Sequence, residues 1–184
     1  MYFTILALGL ALWSGAHFFK RLAPEKRAAM GDKGKGVVAV AIVAAIVLMV
    51  IGYRGADFIP VWSPPPFLTH VNNTLMVFAL WMFGAAKSGV WPATKIRHPQ
   101  LASIKTFALA HLLVNGDLAS ILLFGGLLAW SVVSVILINK AEPDWTPPAA
   151  PPTKKLVTTA IITVVVFFVI TFIHNWLGVW PFPA

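Results

Sequence analysis

The chain has no cysteine. Disulfides, thiolate ligation of haem iron, zinc–cysteine sites and cysteine nucleophiles are thereby excluded, and cysteine usage says nothing about redox compartment. Charge is also scarce: 11% of the residues are Asp, Glu, Lys or Arg, and only 6 are acidic. A basic n-region ahead of the first apolar run is missing too. The basic cluster follows that run, an order that fits a retained anchor with its N-terminus outside better than a cleaved signal. No internal repeat, soluble domain or long polar tail stands out. What fills the chain instead is apolar sequence, with 59% hydrophobic residues and a mean hydropathy of +0.83. No soluble domain of this length could bury so much apolar surface, so the composition indicates an integral membrane protein.

The formal net charge is +8, which on its own would suit a nucleic-acid binder. The cations, however, cluster in short segments between apolar runs, the pattern that orients a membrane protein. Six apolar segments are expected to be helical: Tyr2–Phe19, Val37–Tyr53, Phe67–Ala86, Leu101–Asn115, Leu118–Asn139 and Leu156–Trp176. Most approach the roughly 20 residues needed to cross a bilayer core. The fourth is short, reaching only about 25 Å from Pro99 to Asn115 at about 1.5 Å per residue. The expected fold is thus an all-α, six-transmembrane-helix bundle, a single domain over residues 1–184. All Lys and Arg residues except Arg54 fall on one side of this arrangement. By the positive-inside rule that side is cytoplasmic, which puts both termini outside, periplasmic for a protein of a bacterial inner membrane. Ser63-Pro64-Pro65-Pro66 and the stretch from Pro143 to Pro152 read as stiff polyproline-type connectors.

Ionisable groups within apolar segments are costly and mark functional sites. Of the 5 histidines, His17 lies near the cytoplasmic end of the first segment, on a face shared with Gly9, Trp13 and Ala16. His111 lies in the fourth segment, about 9 Å beyond Lys105. The two come from antiparallel segments at similar depth, and a neutral imidazole is a good ligand for haem iron; the alternatives are an interfacial imidazole reaching water for His17 and an interhelical hydrogen bond to Ser or Thr for His111. Without a partner each would be a buried polar group at a cost of a few kcal/mol. His70 and His174, both near the outer surface, form a second candidate pair for a metal or haem, or else belong to an interfacial aromatic belt with Trp62, Trp176 and Trp180. At the cytoplasmic rim, His98, Arg97, Lys95 and Lys87 could clasp haem propionates or anionic lipid headgroups. Asp117 reads as a helix cap, with a proton relay or a hydrogen bond that supports a cofactor as the alternative.

Several motifs together point further. They are Arg97-His98-Pro99-Gln100-Leu101, Ala108-Leu109-Ala110-His111-Leu112-Leu113-Val114-Asn115-Gly116-Asp117-Leu118-Ala119-Ser120 and Leu123-Phe124-Gly125-Gly126, with Gly15-Ala16-His17 near the start and His174-Asn175-Trp176-Leu177-Gly178-Val179 near the end. This set resembles the NnrU family of bacterial membrane proteins over nearly the whole chain. That family is similar to plant 15-cis-ζ-carotene isomerase, a haem b membrane enzyme. The resemblance implies haem b as cofactor, His17 and His111 as its iron ligands, and a carotenoid or other hydrophobic substrate. Ala108 stands where the plant enzyme has a cysteine, so an exchange between cysteine and histidine ligands cannot operate here. His98 or a transient vacancy would have to replace it. The family name also links the chain to nitrite and nitric oxide metabolism in denitrification.

Three functions follow as expectations. One is a haem b protein that isomerises a polyene entering from the surrounding lipid. Another is a non-enzymatic haem protein for electron transfer or nitric oxide sensing. Two permanent histidine ligands favour electron transfer, whereas sensing needs one ligand to leave. The third is a cofactor-free transporter or assembly factor whose path is lined by Asn115, Asp117 and His111. Against this third expectation stands the lack of a repeat or paired broken helices.

Overall fold

The computed structural model describes residues 1–182. Among these residues the chain is all-α, with seven helices: α1 (Tyr2–Leu22), α2 (Pro24–Ala29), α3 (Lys33–Gly55), α4 (Leu68–Ser88), α5 (Pro99–Val114), α6 (Leu118–Ala141) and α7 (Thr153–Trp176). The described residues form no β-strand; an isolated bridge joins Pro60 to Asp117.

Each expected apolar segment is a helix, and its ends follow local chemistry. Proline opens α2 and α5, where its missing N–H would be unsatisfied anyway. Gly89 ends α4 with φ of 76°, its N–H bonded to the Ala85 carbonyl, a left-handed cap that glycine adopts without a Cβ penalty. Asp117 caps α6 as expected: its carboxylate accepts from the Ser120 N–H at 3.0 Å and from the Ser120 hydroxyl at 2.5 Å. The short α2 lies within the basic stretch after α1, where the apolar pattern gave no sign of a helix.

Four helices, α1, α3, α6 and α7, are long and apolar enough to cross a membrane. The other two expected crossings fall short for different reasons. At 16 residues, α5 spans about 24 Å, less than a hydrocarbon core of about 30 Å. At 21 residues α4 is long enough, but His70, Asn72, Asn73 and Thr74 make its first two turns polar.

The chain forms two compact units. The first comprises Met1–Trp62 and Gly116–Ala141. Here α1 packs along α3 through small residues, as membrane helices do when their backbones approach closely. A Cβ on Gly52 would lie 2.4 Å from the Leu6 backbone nitrogen, and one on Gly9 would lie 2.8 Å from that of Met49. Leu6, fully buried, forms a core with Met49 and Ala119. The segment before Ser63 lies against the turn ahead of α6: the Val61 and Trp62 N–H groups both donate to the Gly116 carbonyl, and the Leu118 N–H donates to Ile59. A side chain at Gly116 would run into the Trp62 carbonyl at 1.9 Å.

The second unit comprises Ser63–Asn115 and the chain from Glu142 onward, with α4 packed against both α5 and α7. Hydroxyl groups join the helices. Ser103 donates to the Ala79 carbonyl at 2.7 Å, and Thr159 donates to the Ser88 hydroxyl at 2.9 Å. Such bonds suit a lipid environment, where helix association lacks a hydrophobic drive. Both units expose large apolar side chains on their outer faces, among them Val40 and Phe172, as lipid-facing helices must.

Candidate functional site

Three of the five histidines share one local geometry. In each, the ring Nδ1 meets the backbone carbonyl four residues earlier: His17 with Trp13 at 2.8 Å, His111 with Phe107 at 3.0 Å and His174 with Ile170 at 2.8 Å. A carbonyl only accepts, so Nδ1 carries the proton and donates it. In the neutral ring Nε2 is then the unprotonated nitrogen, the one able to ligate a metal. The same bond holds the imidazole against its own helix, an orienting role that metal-bound histidines require of their surroundings.

His17 has the most developed surroundings. Its ring centroid lies 4.2 Å from that of Trp13 on the same helix and 4.8 Å from that of Trp130 on α6. The two indoles meet edge to face at 5.2 Å. Trp130 is only 8% exposed. Both indole N–H groups, of Trp13 and of Trp130, are buried without a hydrogen-bond partner among the described residues. A buried donor left unmade costs about 1–3 kcal/mol, so two of them beside one imidazole define a place where an acceptor would be stabilised. Sequence reasoning placed His17 and Trp13 on one face but missed Trp130. The available signal was position: a tryptophan midway along an apolar segment is far from the interfaces where its N–H normally finds water.

His111 lies in the second unit, in the last turn of α5. Its ring is 4.4 Å from that of Phe107, and its carbonyl accepts from the Asn115 side chain at 2.8 Å. Asn115 thus ends the helix beneath His111. Ala108 and Ala110 are fully buried, so the α5 backbone sits close to its neighbours on either side of the histidine.

The remaining candidates lie at helix starts and in the connecting segments. His70 is exposed in the first turn of α4, and its carbonyl accepts from Thr74. His98 is the N-cap residue of α5. Arg97 donates to the Pro143 carbonyl at 3.1 Å and also to the Glu142 carbonyl, so it holds the proline-rich segment. Among the described residues no three His, Asp or Glu side chains converge on a metal-sized space. Haem needs no such cluster, because its macrocycle supplies the equatorial nitrogens and the protein adds one or two axial ligands.

No curated protein and no solved structure matches this chain. The sequence model of one family, described as NnrU protein, matches residues 5–181 across both units, and the chain belongs to that family.

Proposed function

We propose that this NnrU protein is a haem b-binding membrane protein, with His17 and His111 as the iron-ligating side chains. The observation that carries the reading is the environment of His17: a ring fixed through Nδ1, flanked by two tryptophans whose buried N–H groups have no acceptor among the described residues. His111 carries the same backbone tether, which is compatible with ligation but is shared with His174; its place in the reading rests on the family resemblance. Haem, when bound, supplies a redox-active iron. The chain's own residues orient the imidazoles, exclude water with apolar and aromatic side chains, and offer two indole donors.

Ala108 bears on what such a site could do. It is fully buried one turn before His111, and no thiolate is present to exchange with an imidazole. Tethered histidines without a soft competitor favour a stable ligand set, and therefore electron transfer, over the open coordination that polyene isomerisation or nitric oxide sensing requires. The reading includes six crossings, with α4 and α5 entering the bilayer as a pair and both termini on the periplasmic side of a bacterial inner membrane.

A visible spectrum of the detergent-purified protein tests this. A Soret band is expected in the wild type. It should be lost or strongly reduced in His17→Ala and His111→Ala and retained in His70→Ala. No Soret band, or one that survives both substitutions, overturns the reading. Incubating the haem-loaded protein with a cis-ζ-carotene and separating the products by chromatography then distinguishes an isomerase from an electron carrier.

A further inference from the structure

The second unit contains a cleft of about 450 Å³, at the opposite end of α7 from His174. Its walls are the last turn of α4, Arg97 ahead of α5, and the proline-rich segment that runs from Trp145 into the first turn of α7. Three lining side chains are cationic, Lys87, Arg97 and Lys155, and none is acidic. Like charges drawn together repel, so the lining favours an anion; Glu142, whose carbonyl Arg97 holds, lies beside the cleft without lining it.

The cleft is built rather than accidental. Arg97 fastens the proline-rich segment by its bonds to the Glu142 and Pro143 carbonyls, and that segment is stiff. Thr159 ties α7 to α4 through Ser88, itself a lining residue. With Arg97 committed to the frame, Lys87 and Lys155 are the two cations left to a ligand. Neither ammonium group makes a hydrogen bond or ion pair among the described residues. The helices that start at the cleft, α5 and α7, turn their positive dipole ends toward it, while Lys87 offsets the negative end of α4.

The surroundings indicate an amphiphile. Trp145 lines the cleft and is 38% exposed, the partly wet setting an indole favours at a membrane–water boundary. One helical turn into α4, and beside Lys155 on α7, Phe83 and Leu156 present exposed apolar surface. A charged pocket thus adjoins a greasy face.

We propose that this cleft binds a phosphate group, with Lys87 and Lys155 as its charge partners and Trp145 at the boundary. The phosphate would come from the headgroup of an anionic phospholipid or from a soluble phosphate. The proposal does not depend on haem binding. Its test is calorimetric titration of the full-length protein in a non-ionic detergent with short-chain phosphatidylglycerol, short-chain phosphatidylcholine and inorganic pyrophosphate. Saturable binding of phosphatidylglycerol but not phosphatidylcholine is expected. Lys87→Gln/Lys155→Gln should weaken it about twenty-five-fold, at roughly fivefold per lysine. Lys95→Gln/Lys154→Gln removes the same charge from outside the cleft and should leave binding unchanged. Pyrophosphate binding with the same dependence on Lys87 and Lys155 would support the site and identify a soluble source. The proposal is overturned if neither anion binds saturably, if phosphatidylcholine binds equally well, or if the two double variants weaken binding alike.

Discussion

A histidine on a membrane helix can satisfy one ring nitrogen without help from another helix, by donating to the carbonyl one turn back. His17, His111 and His174 all do so, so the tether alone does not separate a ligand from a bystander. What separates His17 is the pair of indoles around it. Trp13 and Trp130 keep buried donors without acceptors among the described residues, which gives a prediction with a definite sign. Trp130→Phe removes an N–H that has no partner among the described residues, so haem-free stability should change by the relieved desolvation cost of about 1–3 kcal/mol offset by the lost ring volume. If the N–H serves an acceptor brought with haem, the variant should lose haem to apomyoglobin about fivefold faster, the value of about one net hydrogen bond. Equal rates of haem transfer would remove Trp130 from the site. At this scale the sequence was informative about His17 and His111, because an ionisable residue inside an apolar run is conspicuous wherever the chain folds. It was silent about Trp130, because that contact joins α1 to α6 and no local pattern encodes it. Asp117 was legible for the opposite reason: capping is a three-residue affair, and the bonds to Ser120 are what its position before an apolar run implies.

Helices in lipid cannot rely on burying apolar surface against each other, so close backbone approach has to be built from small residues. The α1–α3 seam is an example. A side chain at Gly52 would meet the backbone of Leu6, which cannot swing aside. Gly52→Ala is therefore expected to force the helices apart and destabilise the protein by about 1–3 kcal/mol. Gly125→Ala on α6 is the matched control, because nothing lies within 4 Å of a Cβ there. That change should be neutral or stabilising by up to about 1 kcal/mol through helix propensity. Midpoints of unfolding in a mixed-micelle SDS titration would show the contrast, and equal midpoints would argue that the seam tolerates separation. Helix positions were readable from the apolar runs, but the seam was not. Glycines occur on both faces of these helices, and only packing shows which of them face a neighbour. The short α2 escaped notice because six residues rich in charge carry no periodic signal.

For the molecule as a whole, the open matter is how often the chain crosses the membrane, and α4 and α5 decide it. Four helices qualify by length and hydropathy, whereas the distribution of cations implies six crossings, because Lys87, Lys95, Arg97 and Lys105 join the other basic segments only if α4 and α5 traverse the bilayer. The polar first turns of α4 and the 16-residue length of α5 penalise each helix alone. Paired with α4, a short helix can be accommodated by local thinning at a modest cost per ångström of mismatch. The cysteine-free sequence makes the alternatives directly measurable with single exposed cysteines and a membrane-impermeant maleimide on intact cells. Glu25→Cys and Thr146→Cys should be protected, while Asp57→Cys and Asn175→Cys should label. Gln100→Cys, exposed at the start of α5, discriminates. Six crossings place it on the cytoplasmic side, protected until the cells are opened. Four crossings leave α4 and α5 on the outer side, where it labels as readily as Asp57→Cys. Labelling of Gln100→Cys in intact cells would overturn the paired insertion. It would also move the basic cleft beside Lys87 to the outer surface and leave the positive-inside rule unsatisfied at four cations, which is why protection is the expected result.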